Sequence, residues 1–134
     1  MNSRFYLILL FVLCSPWTLF ARRFESLTVK DGLSSNHVFC IHQDKLGFMW
    51  FGTIRGLNRW DGYTFKVFEH DPADSTSLSN SMVRSMTGDS SGYLWLGAGF
   101  GLNKYNPKTD TFVRYTFQGE VPGSNAINCI LADG

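Results

Sequence analysis

Gly47-Phe48-Met49-Trp50-Phe51-Gly52 recurs as Gly92-Tyr93-Leu94-Trp95-Leu96-Gly97, 45 residues further along the chain. At the same offset Gly56-Leu57-Asn58-Arg59-Trp60 recurs as Gly101-Leu102-Asn103-Lys104-Tyr105, and upstream Leu33-Ser34, Val38 and Asp44 recur as Leu78-Ser79, Val83 and Asp89. A third copy begins at an offset of 44, where Ile127, Ile130 and Asp133 repeat Val83, Met86 and Asp89. A period of 20 to 50 residues marks an array of stacked units and takes precedence over any reading of isolated elements.

Each unit encodes four short strands. The stretch Asn36 to Gln43 alternates and is rich in β-branched and apolar residues, and Asp44 to Gly47 has turn chemistry. Phe48 to Gly52 is a second strand, Thr53 to Gly56 a loop, and Leu57 to Trp60 a third strand. Asp61-Gly62 predicts a two-residue type I′ hairpin, which needs positive φ at both central positions, before a fourth strand from Tyr63 to Phe68. His70 to Ser81, with its Pro, Asp, Asn and Ser residues, reads as the connection to the next unit. Four antiparallel strands per ~45 residues is the pattern of a β-propeller blade, so the fold class is all-β. The repeat residues are Trp50, Gly52, Gly56, Leu57 and Asn58, with Trp95, Gly97, Gly101, Leu102 and Asn103. The tryptophans supply apolar area for burial against a neighbouring blade, and the glycines admit close backbone approach or positive φ.

The pattern D-x-x-G-x-x-W-x-G-T-x-x-G-L-N-x-x-D-G-x-x-F from Asp44 to Phe65 resembles the two-component regulator propeller repeat. Asp31-Gly32-Leu33-Ser34-Ser35-Asn36 and Ser77-Leu78-Ser79-Asn80 resemble the inter-blade segment of that family. Ala98 departs from the pattern where Thr53 keeps it, Asn106-Pro107 replaces Asp-Gly, and the second copy has two extra residues before Phe112. The resemblance implies the start of the periplasmic sensor region of a Bacteroides-type hybrid two-component system. Its implied ligand is a glycan-derived oligosaccharide, and its implied partners are the remaining blades and a second copy of the parent. Kinase elements are expected in other sequence, since no ATP-binding glycine-rich segment or phospho-acceptor histidine box occurs here. The alternative is a stand-alone secreted propeller module that binds carbohydrate or protein.

Arg4 followed by the apolar run Phe5 to Cys14, a Ser15-Pro16 break and Ala21 predicts a secretory signal. The uninterrupted run is about half of the ~20 residues of a spanning helix, although an uncleaved anchor from Phe5 to Phe20 is the alternative. The expected organisation is a signal segment over 1–21 and a closing strand with linker over 22–35. A blade over 36–80, a second over 81–124 and the start of a third over 125–134 follow. Phe24 to Val29 stands where a fourth strand would precede the Leu33-Ser34 marker, so it is expected to complete the last blade of a closed ring. Two complete blades alone are expected to expose an apolar blade face.

Composition narrows the function classes. The chain of 134 residues has 12 Phe, 5 Tyr, 4 Trp and 13 Gly, which excludes disorder. A balance of 12 Lys+Arg against 11 Asp+Glu leaves no basic footprint for nucleic acid. His37 and His42 lie five apart on one strand and face opposite ways, a poor arrangement for a metal. Asp44, Asp89 and Asp133 recur once per unit, which favours turn capping over acid–base catalysis. No G-x-S-x-G elbow or phosphate loop occurs, so neither catalytic residues nor a cofactor is expected. Cys40 and Cys129 are equivalent positions two blades apart, expected to be packed thiols rather than a disulfide. Arg55 and Phe100 occupy one variable loop position in an otherwise repeated framework, which makes them the candidate ligand-binding residues. Arg can bond a carboxylate or sulfate, and an aromatic face can stack on a sugar ring.

Overall fold

The computed structural model describes residues 25–116 and 125–132. The expected signal segment and Phe24 lie outside them. Among the described residues eight strands form two antiparallel sheets of identical topology. The first has the order β1 (Val38–Gln43), β2 (Met49–Thr53), β3 (Gly56–Trp60), β4 (Phe65–Phe68), and the second β5 (Val83–Gly88), β6 (Leu94–Ala98), β7 (Leu102–Asn106), β8 (Thr111–Tyr115). Each sheet is a propeller blade. The registers repeat as the sequences do: Trp50 opposes Arg59 in the first sheet and Trp95 opposes Lys104 in the second. Even the irregularity recurs, between Val38 and Cys40 and again between Val83 and Ser85.

The core lies between the sheets. Trp50, Leu57, Leu78, Val83, Leu94, Leu96, Tyr105 and Phe112 form one buried cluster. Trp50 meets Tyr105 edge-on at 4.9 Å, and Phe68 meets Phe112 at 5.5 Å. Such aromatic pairs contribute about 0.5–1.5 kcal/mol each beyond the area they bury. At the rim Arg59 donates to Tyr105 Oη (3.0 Å) and to Asp110 (3.2 Å), and Lys66 also pairs with Asp110.

The glycine of each Trp-x-Gly is required by this stacking. A Cβ on Gly52 would stand 2.9 Å from Val83 O of the neighbouring sheet, and one on Gly97 would stand 2.8 Å from Ile127 O. Residues 125–132 therefore pass the second sheet as β5 passes the first, held by Gly101 N donating to Asn125 O (2.6 Å) and Ile127 N to Ala98 O (3.2 Å).

One sequence reading changes. The hairpin after β3 is not a two-residue type I′ turn: Trp60 opposes Phe65, leaving a four-residue loop in which only Gly62 has positive φ. Asp61 closes that loop instead: its Oδ1 accepts the amides of Tyr63 (2.8 Å) and Thr64 (2.7 Å), and its own amide donates to Thr64 O (3.3 Å). The two extra residues of the second hairpin lengthen the ladder by the pair Asn106–Thr111 and leave a four-residue loop again. At the start of the described chain, residues 25–28 make no ladder, as expected of a closing strand whose blade is not among the described residues, and a single 3₁₀ turn, Val29–Asp31, follows. Thr28 and Asp31 cap that turn reciprocally, with Thr28 itself extended.

Candidate functional site

Antiparallel topology sorts the loops to two ends. The β2–β3 and β6–β7 loops and the inter-sheet connections share one end, and the β1–β2 and β3–β4 hairpins with their repeats share the other. Arg55 and Phe100 stand at the connection end, both exposed, on equivalent loops of adjacent sheets. Arg55 uses its amide to bond Thr53 Oγ1 (3.0 Å), while its guanidinium has no partner among the described residues.

The scaffold beneath these side chains is tied down by repeated hydrogen bonds. Ser34 N donates to Asn58 Oδ1 (2.8 Å), and Asn58 Nδ2 returns a bond to Ser34 Oγ (2.9 Å). Ser79 and Asn103 repeat both bonds at 2.8 and 2.9 Å. The fully buried asparagine of the Gly-Leu-Asn motif thus fastens the incoming connection to its own sheet. Gly56 and Gly101, at φ +139° and +89°, turn the loop where a Cβ would meet the carbonyl of Phe68 or Tyr115 at 2.6 or 2.7 Å. The two loops then diverge. In the first, Ser34 Oγ bonds Thr53 Oγ1 (2.9 Å); in the second, Ala98 offers no hydroxyl, and Ser79 Oγ donates to Phe100 O instead. The framework is shared while the exposed side chain changes from a cation to an aromatic ring.

The hairpin end holds a cleft of about 430 Å³ between the sheets. Its lining includes Trp50, Tyr105, Leu94, His42, Lys45 and Tyr93. Lys45 Nζ crosses to Ser90 O (2.8 Å), and Gly88 leaves room for the His42 ring, whose Nε2 would be 2.9 Å from a Cβ there. The sequence reading missed this cleft. Its one visible signal is Gly88, which stands where the first copy has Gln43.

The repeated aspartates are consumed by structure. Asp44 Oδ1 accepts the amides of Leu46 (2.9 Å) and Phe48 (3.0 Å), and Oδ2 accepts the Trp50 indole N–H (2.8 Å). Asp89 does the same for Ser91, Tyr93 and Trp95, each at 2.9 Å. Burial alone would push the Asp89 carboxyl up. The Trp95 indole, the Tyr93 and Ser91 amides and nearby Lys104 outweigh it and hold the group below its ordinary value. Burial pushes the Cys40 thiol up to about 11, against an opposing bond from Gly52, which disfavours its thiolate at neutral pH. Cys40 and Cys129 are both free thiols.

A four-stranded antiparallel sheet stacked on a copy of itself, with its first strand against the neighbour's, defines the class as β-propeller blades. The two-component regulator propeller model matches residues 32–55 and 77–99, each spanning the inter-blade segment and the first two strands. Each of the two sheets thus carries a stretch that matches the two-component regulator propeller repeat. The fold is similar to the extracellular domain of BT3049 from B. thetaiotaomicron, described as a hybrid two-component system, at 34% identity and a TM-score of 0.64 over 73% of this chain. It is also similar to the extracellular domain of the one-component system BT4673 of the same organism, at 26% identity and 0.62 over 74%. Over 56 residues, 42% of the chain, the sequence is 54% identical to histidine kinase P4 of Formosa agariphila. The chain spans 14% of each of those structures and 4% of that kinase. No helix among the described residues is long and apolar enough to cross a membrane.

Proposed function

We propose that the chain is part of the ligand-sensing propeller of a hybrid two-component sensor, exported to the periplasmic side of the inner membrane, and that its ligand is a glycan-derived oligosaccharide. The similarity at 34% identity to an extracellular domain of a hybrid two-component system carries the reading. The connection end supports it chemically, because Arg55 and Phe100 put an exposed guanidinium and an exposed ring on equivalent loops of adjacent sheets. A guanidinium recognises carboxylate or sulfate groups on sugars, and a ring face packs on a pyranose. In this role the chain carries out no catalysis. It binds, and the change in blade packing is passed to domains elsewhere in the polypeptide.

The test is calorimetric titration of the whole exported region against neutral, carboxylated and sulfated oligosaccharides, repeated with Arg55→Ala and Phe100→Ala. Each substitution is expected to weaken binding about tenfold, the equivalent of ~1.4 kcal/mol. Binding unchanged by both would remove the ligand from this end of the blades, and no binding across the panel would remove the sugar.

A further inference from the structure

The cleft at the hairpin end is lined where the two copies differ. From the first sheet His42, Lys45 and Leu46 line it, and the second copy has Thr87, Ser90 and Ser91 in their places, while the frame of Asp44, Gly47 and Trp50 is kept as Asp89, Gly92 and Trp95. From the second sheet Gly88 replaces Gln43, and the His42 ring takes the space, its Nε2 2.9 Å from where a Cβ would stand. The volume of about 430 Å³ is that of a small-molecule site. Trp50 and Tyr105, each 1% exposed, form the floor, and Leu46 stands at the mouth with 77% of its surface in solvent. The free polar groups of the lining are of one kind. Asp44 and Asp89 each already accept three N–H groups from their own hairpins, and the Tyr105 hydroxyl donates to Asp110. Donors remain. Lys45 gives one of its three N–H groups to Ser90 O and belongs to no ion pair among the described residues, and the His42 imidazole has no hydrogen-bond partner among them.

We propose that this cleft binds a small uncharged ring compound that carries an acceptor oxygen. The ring packs against Leu46, Leu94 and Pro107 above the Trp50–Tyr105 floor, and the oxygen accepts from Lys45 Nζ and the His42 imidazole. An acceptor is required because a ligand that covered these donors without pairing them would incur about 1–3 kcal/mol for each. Charge is selected against in both directions: Asp44 and Asp89 in the lining repel an anion, and Lys45 repels a cation. Both sheets contribute to the lining, so an occupant ties one to the other and stabilises the stacked form. The site stands at the opposite end of the blades from Arg55 and Phe100 and does not rest on the sugar-binding reading.

The probe is coumarin, an uncharged bicyclic lactone, titrated into the whole exported region with ligand-observed NMR as the readout and coumarin-3-carboxylate as its charged counterpart. Coumarin is expected to bind, and the carboxylate to bind at least about tenfold more weakly. Lys45→Met is expected to weaken coumarin about tenfold and Lys45→Arg to retain it, with the thermal midpoint unchanged in both because Lys45 is exposed. Gly88→Gln, which places the side chain of the first copy in the cleft, is expected to abolish binding. No binding of coumarin, a carboxylate bound as tightly, or coumarin affinity unchanged by Lys45→Met or by Gly88→Gln would each overturn the proposal. Lys45→Met is expected to leave the oligosaccharide titration as it is, and Arg55→Ala to leave that of coumarin, so failure at one end of the blades is distinguished from failure at the other.

Discussion

Gly52→Ala is the sharpest test of how the two sheets are held together. An added Cβ would lie 2.5 Å from Cys40 Sγ and 2.9 Å from both Val83 Cγ1 and Val83 O. Gly52 has no positive φ, so the whole effect is steric, and one of the three atoms is backbone of the neighbouring sheet that cannot rotate away. Overpacking of this kind costs about 1–3 kcal/mol, and contact with an immovable carbonyl places it at the upper end, near ~2–3 kcal/mol. For a domain of this size that is a fall of roughly 10–20 °C in the thermal midpoint followed by circular dichroism. Adding Cys40→Ala removes only the Sγ contact, so the double variant is expected to regain part of the loss and not all of it. Gly47→Ala is the control, with nothing within 4 Å and only the penalty of φ +90° to bear, about 1 kcal/mol. If Gly52→Ala melts within 2 °C of the parent, close approach of Val83 is not what requires the glycine, and the stacking argument fails.

The other predictions concern single groups. Asp44→Asn keeps an acceptor for the Leu46 and Phe48 amides but turns an N–H₂ toward the Trp50 indole N–H, and is expected to cost about 1–3 kcal/mol in urea unfolding. Burial works to raise the Asp110 carboxyl, but Lys66, Tyr105 and Arg59 together hold it below its ordinary value. A depressed carboxylate contributes stability that is present above its unfolded value near 4 and is lost as pH falls through the lower folded value. The acid limb of the stability profile should therefore flatten in Asp110→Asn, and a limb identical to the parent's would show that the inter-sheet clamp carries no linkage. The exposed Cys129 thiol is expected to react with a disulfide reagent at pH 7.5 at least about tenfold faster than Cys40, whose thiol is raised to about 11. Stopped-flow traces of Cys129→Ser and Cys40→Ser assign the two phases.

The eight strands were legible because each unit repeats its own punctuation: a capping aspartate, an apolar run around one tryptophan, then Gly-Leu-Asn. Those signals act within a few residues, so the chemistry that forms each sheet is written beside it. The hairpin after β3 shows the limit of local reading. Asp61-Gly62 has the composition of a tight turn, yet the Asp61 carboxylate takes the Tyr63 and Thr64 amides, and the ladder ends at Trp60–Phe65 with four residues between. Arg55 and Phe100 were found as variation inside a constant frame, which a self-comparison can see. The hairpin-end cleft was not found, because His42 and Gly88 line it from different sheets and neither carries a signal alone.

Period and alternation were therefore enough to dictate the architecture: four-stranded antiparallel sheets in series, each with one tryptophan to bury. They could not say which tryptophan would be covered. Trp50 and Trp95 occupy identical positions, and only the stacking of the second sheet on the first makes one core and leaves the other at a surface. The same stacking creates the Arg59–Asp110 pair from residues 51 apart, with Asp110 in a left-handed conformation that glycine usually takes. Such contacts depend on the distance between sheets, a quantity that no single repeat contains.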